Sequence, residues 1–178
     1  MTGDDNRWAA LFPDLFATRY ESYADCRLSF TTRDFPDELV ARLHLVARTP
    51  CGAVIVCRSI QDWTFLPGGT REESESLREL ARRELMEEAG ARMTGDLRIF
   101  GAHVADSLSG APFRPHLPHP RAYWAYAATD AELVQPPTNP HDGEHVVEVL
   151  ALLATEAADR LEYEHADVLR LAQAMQLI

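Results

Sequence analysis

The chain has 178 residues, 46% of them hydrophobic, which suits one domain with a substantial core. Its formal net charge is −11, and this negative surplus argues against a broad surface for nucleic acid or an anionic membrane. All 17 basic residues are arginine, so Schiff-base chemistry and a phosphate loop with a lysine are excluded. A small anionic substrate remains compatible with this charge if a cation mediates its binding.

The cysteines and the first residues indicate where the protein functions. Cys26, Cys51 and Cys57 are an odd number without a Cys-x-x-Cys pair, which argues against a disulfide framework or a structural zinc site. Residues 1–6 are polar and acidic, unlike a signal peptide, and no apolar run is long enough to span a bilayer. We therefore expect free thiols in a cytoplasmic protein.

Hydrophobic periodicity predicts the elements in chain order. A helix or turn is expected over residues 8–23, broken by Pro13, and Pro67-Gly68-Gly69 is expected to be a turn. The long helix over 74–89 ends where Gly90 can adopt a left-handed conformation. Strands are predicted over 26–32, 39–49 (half-buried), 53–57, 63–66, 97–104, 122–128 and 146–153, with 39–57 forming a hairpin and C-terminal helices over 155–175. This order, without strict βαβ alternation, predicts an α/β fold with a mixed β-sheet flanked by helices.

The predicted helix over 74–89 carries an unusual acidic cluster. At about 100° per residue, Leu77, Ala81, Glu84 and Glu88 share one stripe, and Glu87 lies beside Glu84. Repulsion between like charges, partial burial and the dipole at the helix C-terminus all oppose such a cluster. A hard divalent cation would offset these effects, since Mg²⁺ and Mn²⁺ prefer carboxylate oxygens. The alternative is a solvated acidic face paired with neighbouring arginines, and the helical pattern alone does not decide between the two.

The segment from Gly69 to Ala91 adds a second signal. Gly69 is followed after five residues by Glu75, and after seven more by Arg-Glu-Leu-Met-Glu-Glu-Ala-Gly-Ala. This spacing resembles the motif of the Nudix hydrolase family, in which Gly, Glu and the run Arg-Glu-aliphatic-x-Glu-Glu-x-Gly-aliphatic occur at these intervals. Ala91 is the one departure, because the family prefers a larger aliphatic residue there. The matching positions are Gly69, Glu75, Arg83, Glu84, Leu85, Glu87, Glu88 and Gly90.

The resemblance implies a fold and an activity. It implies an α/β/α sandwich over residues 39–178. Residues 1–38 lie outside the resemblance and form an N-terminal extension that could serve as a dimer arm. The implied reaction is hydrolysis of a phosphoanhydride bond in a nucleoside diphosphate linked to another moiety, or in a nucleoside triphosphate. The implied cofactor is Mg²⁺, with Mn²⁺ as a substitute. The expected partner is a small nucleotide, with no nucleic acid polymer and no membrane, and a homodimer is one option.

The resemblance also implies roles for individual residues. Glu84 and Glu88 would be the main metal ligands, with Glu87 in support and the Gly68 carbonyl as a further oxygen donor. Glu75 and Arg83 would form the pair that fixes the loop to the helix, although a plain surface ion pair is the alternative. The structural positions of the motif are then Gly69, Glu75, Arg83 and Gly90.

The general base and the substrate contacts are less defined by the motif. Glu84 is one candidate base, and Glu144 in a later loop is another, although that segment is equally consistent with an ordinary turn. Arg58, Arg121 and Tyr123 are candidate substrate-binding residues, with a solvent-facing strand end and a core aromatic residue as alternatives. No feature assigns a particular nucleotide. The competing functions are a Nudix-like module that senses a nucleotide without cleaving it, and an interaction domain that uses residues 1–38.

Overall fold

The computed structural model describes residues 3–139, 145–162 and 164–178. Two short helices, α1 (Gly3–Leu11) and α2 (Pro13–Phe16), precede strand β1 (Arg19–Glu21). Pro13 lies in the first turn of α2, where the missing N–H of proline costs no helical hydrogen bond. The prediction for residues 8–23 is therefore correct for the break at Pro13 and wrong for Arg19–Glu21, which are extended.

The remaining elements agree with most of the predicted order and add two short strands. The elements not predicted are β6 (Gly68–Thr70), β7 (Ala91–Met93) and a 3₁₀ turn (Asp37–Leu39). The others are β2 (Cys26–Thr31), β3 (Val40–Arg48), β4 (Val54–Ser59), β5 (Thr64–Phe65), α3 (Leu77–Ala89), β8 (Arg98–Ser107), β9 (Arg121–Leu133), β10 (Val146–Leu152), α4 (Ala154–Arg160) and α5 (Glu164–Ala174).

The strands form one mixed sheet in the order β1-β2-β8-β9-β3-β4-β10. Strands β3 and β9 are parallel at its centre, and the neighbouring pairs are antiparallel. The three short strands attach to this path, with β5 on β4, β6 on β3 and β7 on β9. The predicted fold class, a mixed sheet flanked by helices, is confirmed.

Each face of the sheet has its own hydrophobic core. On one face, Leu43 and Leu45 of β3 pack with Leu80 and Leu85 of α3. The opposite face packs against the N- and C-terminal helices, and its buried residues include Trp8, Leu15, Val46, Tyr126, Leu169 and Leu171. Residues before 39 therefore contribute to the core, while a role of residues 1–38 as a dimer arm stays a prediction. Among the described residues, no helix is long and apolar enough to cross a membrane.

Strand β3 differs from its prediction as a half-buried strand. None of its nine residues is exposed, because helices or loops cover both faces of the central strands. Its polar residues Arg42 and His44 share the face of Val46, on the side of the sheet opposite α3. The predicted alternation was correct, but the polar residues lie under other parts of the chain instead of facing solvent.

The segment predicted as a turn at Pro67-Gly68-Gly69 contains strand β6. Gly68 and Gly69 pair with His44 and Leu43 of β3. A Cβ atom on Gly68 would lie 2.2 Å from the Leu43 carbonyl oxygen, and its φ of +153° also favours glycine. Because β6 occupies this edge of β3, the two strands of the predicted hairpin, β3 and β4, pair only at Arg48 and Val54. Strand β4 instead pairs along its length with β10.

Candidate active site

Helix α3 is defined by local signals at both ends. The Ser76 Oγ accepts a hydrogen bond from the Glu79 N–H (3.3 Å), and the Glu79 carboxylate accepts one from the Ser76 N–H (2.9 Å), which forms a capping box. The predicted start at Ser74 is therefore wrong, and Ser74 has a φ of +63° that is not helical. At the other end Gly90 adopts the predicted left-handed conformation, with a φ of +58°.

The acidic stripe of α3 faces the protein interior. Glu84 and Glu88 are each only 6% exposed, and the side chains of Leu77 and Ala81 on the same stripe are also buried. The Glu87 side chain, beside them, is 23% exposed. A fully solvated acidic face is therefore excluded for Glu84 and Glu88.

Arg83 connects the loop before the helix to the acidic stripe. Its Nε and Nη2 donate to the two carboxylate oxygens of Glu75 (2.8 and 3.0 Å), and Nη2 also donates to the Thr70 carbonyl (3.1 Å). Its Nη1 donates to both Glu84 (2.9 Å) and Glu87 (3.0 Å). One guanidinium therefore holds three carboxylates, and such bidentate, charge-assisted contacts are strong because the planar fork matches the carboxylate.

Negative charge remains incompletely neutralised at this site. Burial raises the pKa of Glu84 to about 7, even though Arg83 favours its charged form, and the charges of Glu87 and Glu75 add to the shift. The backbone dipole at the C-terminal half of α3 also disfavours negative charge there. This is an environment in which an added cation is electrostatically favourable.

Two glycines let strand β6 approach the carboxylates closely. The Gly68 N–H donates to a carboxylate oxygen of Glu88 (2.8 Å). A Cβ atom on Gly69 would lie 2.3 Å from the Glu84 Oε1, inside the van der Waals distance. The loop therefore contacts both buried carboxylates through backbone alone. The role of the Gly68 carbonyl as a metal ligand stays a prediction.

The carboxylates of Glu84, Glu87 and Glu88 are chemically suitable ligands for a divalent cation, but they are not arranged as a preformed metal site. Within residues 3–139, 145–162 and 164–178, no group of three or more His, Cys, Asp or Glu side chains is arranged to hold a metal ion. Glu84 and Glu87 instead share Arg83 as their counter-ion. Carboxylate oxygens are the ligands that Mg²⁺ and Mn²⁺ prefer, and burial raises the pKa of Glu84 despite its contact with Arg83.

The two predicted substrate arginines are engaged in ion pairs. Arg58, on β4, donates to Glu148 and Asp62 (2.8 Å each). Arg121, at the start of β9, donates through two nitrogens to Asp106 (2.6 and 2.8 Å). Both side chains are partly exposed at the surface, and their role in substrate binding stays a prediction.

The aromatic residues near the start of β9 point to opposite faces of the sheet. Tyr123 stacks on Phe35, with ring centroids 4.5 Å apart. Trp124, the next residue, lies in the wall of a cavity of about 360 Å³. The predicted role of Tyr123 in binding substrate stays a prediction, as does that of the candidate base Glu144, which lies outside the described residues.

The cavity contains residues that the sequence analysis did not single out. Tyr23 and Arg42 line it beside Trp124, under the loop over 108–120. The sequence signal for this cavity was Arg42 within the apolar strand β3. The sequence alone does not show that the loop over 108–120 covers the face of β3 on which Arg42 lies. Thr70, which follows Gly69 in β6 and whose carbonyl accepts a hydrogen bond from Arg83, also lies in the wall.

Comparisons with known proteins agree with this fold. The family model of the NUDIX domain matches residues 39–172. Among solved structures, a MutT protein from Methanosarcina mazei Go1 is 18% identical, with a TM-score of 0.54 over 80% of this chain and 99% of that chain. A mutant of the pyrophosphohydrolase BsRppH from Bacillus subtilis is 17% identical, with a TM-score of 0.54 over 77% of each chain. A NUDIX hydrolase from Nitrosomonas europaea is 12% identical, with a TM-score of 0.55 over 76% of this chain and 88% of that chain. No curated protein matches the chain significantly.

The fold, the motif from Gly69 to Ala91 and the family match define one class of protein. The chain belongs to the NUDIX domain family. It is a hydrolase of the Nudix type.

Proposed function

We propose that the protein is a divalent-metal-dependent pyrophosphohydrolase. Its substrate would be a nucleoside diphosphate linked to another moiety, or a nucleoside triphosphate. The observation that carries this proposal is the burial of Glu84 and Glu88 on one stripe of α3, against the glycine backbone of β6. The structurally similar BsRppH is a pyrophosphohydrolase, which supports the same reaction class.

Glu84, Glu87 and Glu88 would hold the cation, which is Mg²⁺ in this proposal. When bound, such an ion neutralises phosphate charge, lowers the pKa of a bound water and stabilises charge in an in-line displacement. The protein's net charge of −11 would otherwise repel a polyphosphate. The acidic stripe is thus compatible with an anionic substrate only when a cation lies between them.

Other residues of the motif position these carboxylates. Arg83, held by Glu75, fixes the orientation of Glu84 and Glu87 through its Nη1. The Gly68 N–H orients Glu88 from the opposite side. Before a cation binds, Arg83 limits the repulsion among the acids, and binding requires Glu84 and Glu87 to share their oxygens with the ion.

Two residues are proposed as alternative proton acceptors. Glu84 is the candidate that lies in the site itself, where a carboxylate can act as a general base. Glu144 is the alternative on the sequence pattern alone. Glu144→Gln distinguishes them, because loss of a base lowers kcat and removes a limb of the pH profile, whereas loss of a metal ligand also weakens metal activation.

The proposed setting is cytoplasmic, with small nucleotides as substrates instead of nucleic acid polymers. The net charge of −11 supports this choice of substrate, because an extended polyanion would be repelled along most of the surface. A homodimer, with residues 1–38 as a possible dimer arm, stays a prediction, and sedimentation of the full chain tests whether the protein dimerises.

A nucleotide panel with Mg²⁺, with Mn²⁺ and with a chelator tests the activity. We expect Glu84→Gln and Glu88→Gln each to lower kcat by at least about a hundredfold, because each removes a ligand charge from the site. Glu73→Gln, an exposed acid just before α3, is the matched control and should retain activity. Unchanged turnover in both site variants, with folding verified by circular dichroism, would contradict the mechanism. Nucleotide binding without product release by the native protein would instead indicate a sensor.

A further inference from the structure

The last turn of α3 is held by hydrogen-bond donors from outside the helix. The final carbonyls of a helix have no partner within it and carry the negative end of its dipole. Here the Glu87 carbonyl accepts a hydrogen bond from the Asn139 N–H (3.1 Å), and the Glu88 carbonyl accepts one from the Cys57 thiol (3.4 Å). The two acids of this turn are therefore anchored through their own backbone.

Asn139 is also fixed by its side chain. Its Oδ1 accepts a hydrogen bond from the Val146 N–H (2.8 Å), and its Nδ2 donates one to the Val146 carbonyl (2.9 Å). Val146 is the first residue of β10, is only 2% exposed and lies in the same core as α3. One residue thus joins the end of α3, through its backbone, to the start of β10, through its side chain.

Asparagine fits this position in two ways. Its φ is +48°, in the left-handed region that asparagine adopts more readily than most other residues with a side chain. Its amide offers an acceptor and a donor in one plane, so it can bond both backbone groups of Val146 as a neighbouring strand would. Glycine would keep the backbone conformation without the side chain, so Asn139→Gly isolates the contribution of the two bonds to Val146.

The segment that leads to Asn139 is anchored at the same end of the helix. The N–H groups of residues 134 and 135 donate to the Gly90 carbonyl (2.9 and 3.1 Å). Pro136-Pro137, between these bonds and Asn139, restricts the backbone. A displacement of Asn139 would therefore be transmitted to the last turn of α3, because little freedom is left in the segment between.

The relative placement of the acids depends on this last turn. Glu84 lies one turn before Glu87 and Glu88, and the Glu88 carboxylate accepts a hydrogen bond from the Gly68 N–H (2.8 Å). Carboxylates that share a small divalent cation must keep fixed separations, since Mg²⁺ requires short bonds in a near-octahedral arrangement. Movement of the last turn would shift Glu87 and Glu88 relative to Glu84 and the β6 backbone.

We propose that Asn139 is a positioning residue for the metal-binding acids of this enzyme. It acts through the backbone of Glu87, by holding the last turn of α3 at a fixed distance from β10, and it contacts neither metal nor substrate. This inference rests on the proposed function, since Glu87 and Glu88 are two of the three proposed metal ligands.

Binding of Mn²⁺ to the full chain without nucleotide, measured by calorimetry, tests this role without turnover. We expect Asn139→Gly to weaken Mn²⁺ binding by at least about tenfold, the size of effect that residues orienting metal ligands usually have. Asn139→Ser, whose hydroxyl can bond one group of Val146, should fall between Asn139→Gly and the native protein.

Two control variants separate positioning from a general loss of stability. Ser76→Ala loosens α3 at its other end, so it should bind Mn²⁺ as the native protein does. Asn6→Ala, at an exposed position of α1, controls for the loss of an asparagine and should also bind normally. Circular dichroism verifies that every variant is folded.

Hydrogen exchange of the metal-free proteins provides a second measurement. Asn139→Gly should speed amide exchange over residues 86–90 by about tenfold, because two hydrogen bonds that hold this turn in place are lost, and should leave the first turn of α3 unchanged. Ser76→Ala should show the reverse pattern. Unchanged exchange over residues 86–90 in Asn139→Gly would show that Asn139 does not hold the helix end.

The outcomes separate this inference from the proposed hydrolase. If the native protein cleaves nucleotides and Asn139→Gly binds Mn²⁺ as tightly as it does, the positioning role is wrong and the hydrolase stands. Equal weakening by Asn139→Gly and Ser76→Ala would also overturn the role, because Asn139 would then act only through the stability of α3. If Asn139→Gly alone weakens Mn²⁺ binding but the native protein cleaves no nucleotide, the role stands and the hydrolase is wrong. A native protein that binds no Mn²⁺ would overturn the role together with the metal site.

Discussion

At the scale of the residue, Gly69 shows how closely the loop and the acidic helix approach each other. A Cβ atom at this position would lie 2.3 Å from the Glu84 Oε1, so Gly69→Ala must displace that carboxylate. Because the obstructing group is the end of a side chain, we expect Gly69→Ala to lose little folding stability. We expect it to lose at least about tenfold in kcat/KM, because misplacing a group in a catalytic site by about 1 Å is costly. Gly110→Ala is the control, since a Cβ there meets no atom within 4 Å. Steady-state kinetics and thermal melts of both variants measure the two effects, and unchanged kinetics for Gly69→Ala would show that Glu84 has no positional role.

Glu84 also carries a cost in stability that can be measured without substrate. Burial raises its pKa to about 7 in the folded chain, against about 4.5 for an ordinary glutamate. The folded state therefore binds the Glu84 proton more tightly than the unfolded state does, and the charged form destabilises the fold as the pH rises above about 4.5. The full cost, about 3 kcal/mol, is present above pH 7.

We therefore expect Glu84→Gln to be more stable than the native protein at pH 8 in the presence of a chelator, by up to about 3 kcal/mol. The difference should disappear at pH 4, where Glu84 is protonated in both states. Denaturant unfolding at the two pH values measures it. A variant that is less stable than the native protein at pH 8 would show that Arg83 fully compensates the charge.

At the scale of the element, the two ends of α3 differ in what holds them. The Ser76 cap is exposed and local, and its loss in Ser76→Ala should cost about 1 kcal/mol. Gly90 has a φ of +58°, and a Cβ there would lie 1.9 Å from the Gln135 carbonyl oxygen. Its own carbonyl accepts hydrogen bonds from the Val134 and Gln135 N–H groups (2.9 and 3.1 Å).

Gly90→Ala should therefore be much more destabilising than Ser76→Ala, by roughly 3 kcal/mol or more in the free energy of unfolding. It combines an unfavourable backbone conformation with a clash against backbone that cannot move independently. Urea unfolding of the two variants provides the comparison. Similar values for the two would mean that the end of α3 moves freely relative to β9.

At the scale of the whole molecule, buried histidines make the fold sensitive to acid. His103 and His165 lie between the sheet and the terminal helices, and burial lowers their pKa values to about 3 and about 4. His165 Nδ1 accepts a hydrogen bond from the Leu66 N–H (3.2 Å), so the neutral ring is part of the structure. In the unfolded chain both histidines bind a proton with a pKa of about 6.5. The stability that the two residues contribute is therefore present above a pH of about 6.5 and is lost as the pH falls below it.

His165→Asn should flatten this pH dependence, since an amide oxygen can accept the same hydrogen bond without titrating. At pH 5 each buried neutral histidine costs the native protein about 2 kcal/mol relative to neutral pH. We expect the loss of stability between pH 7.5 and pH 5 to be smaller by about this amount in the variant. His145→Asn, at an exposed position, should behave like the native protein. Equal pH dependence in all three proteins would show that protonation of His165 is not coupled to unfolding.

The sequence by itself determined the features that depend on local order along the chain. The end of the helix at Ala89, its left-handed residue Gly90 and the shared stripe of Glu84 and Glu88 all follow from helical periodicity and the conformational freedom of glycine. The mixed sheet followed from the order of predicted strands and helices, which lacks strict βαβ alternation. The spacing of the motif added the family, because chemistry that needs one face of one helix leaves its pattern in adjacent turns.

Only the tertiary structure decided the features that depend on which distant segments meet. The pairing of β6 with β3, the covering of both faces of β3 and the cavity around Arg42 and Trp124 join segments far apart in the chain. Periodicity reports that a strand has two faces, but not what covers each of them. For that reason a polar face predicted to meet solvent is instead buried under the loop over 108–120 and the C-terminal helices.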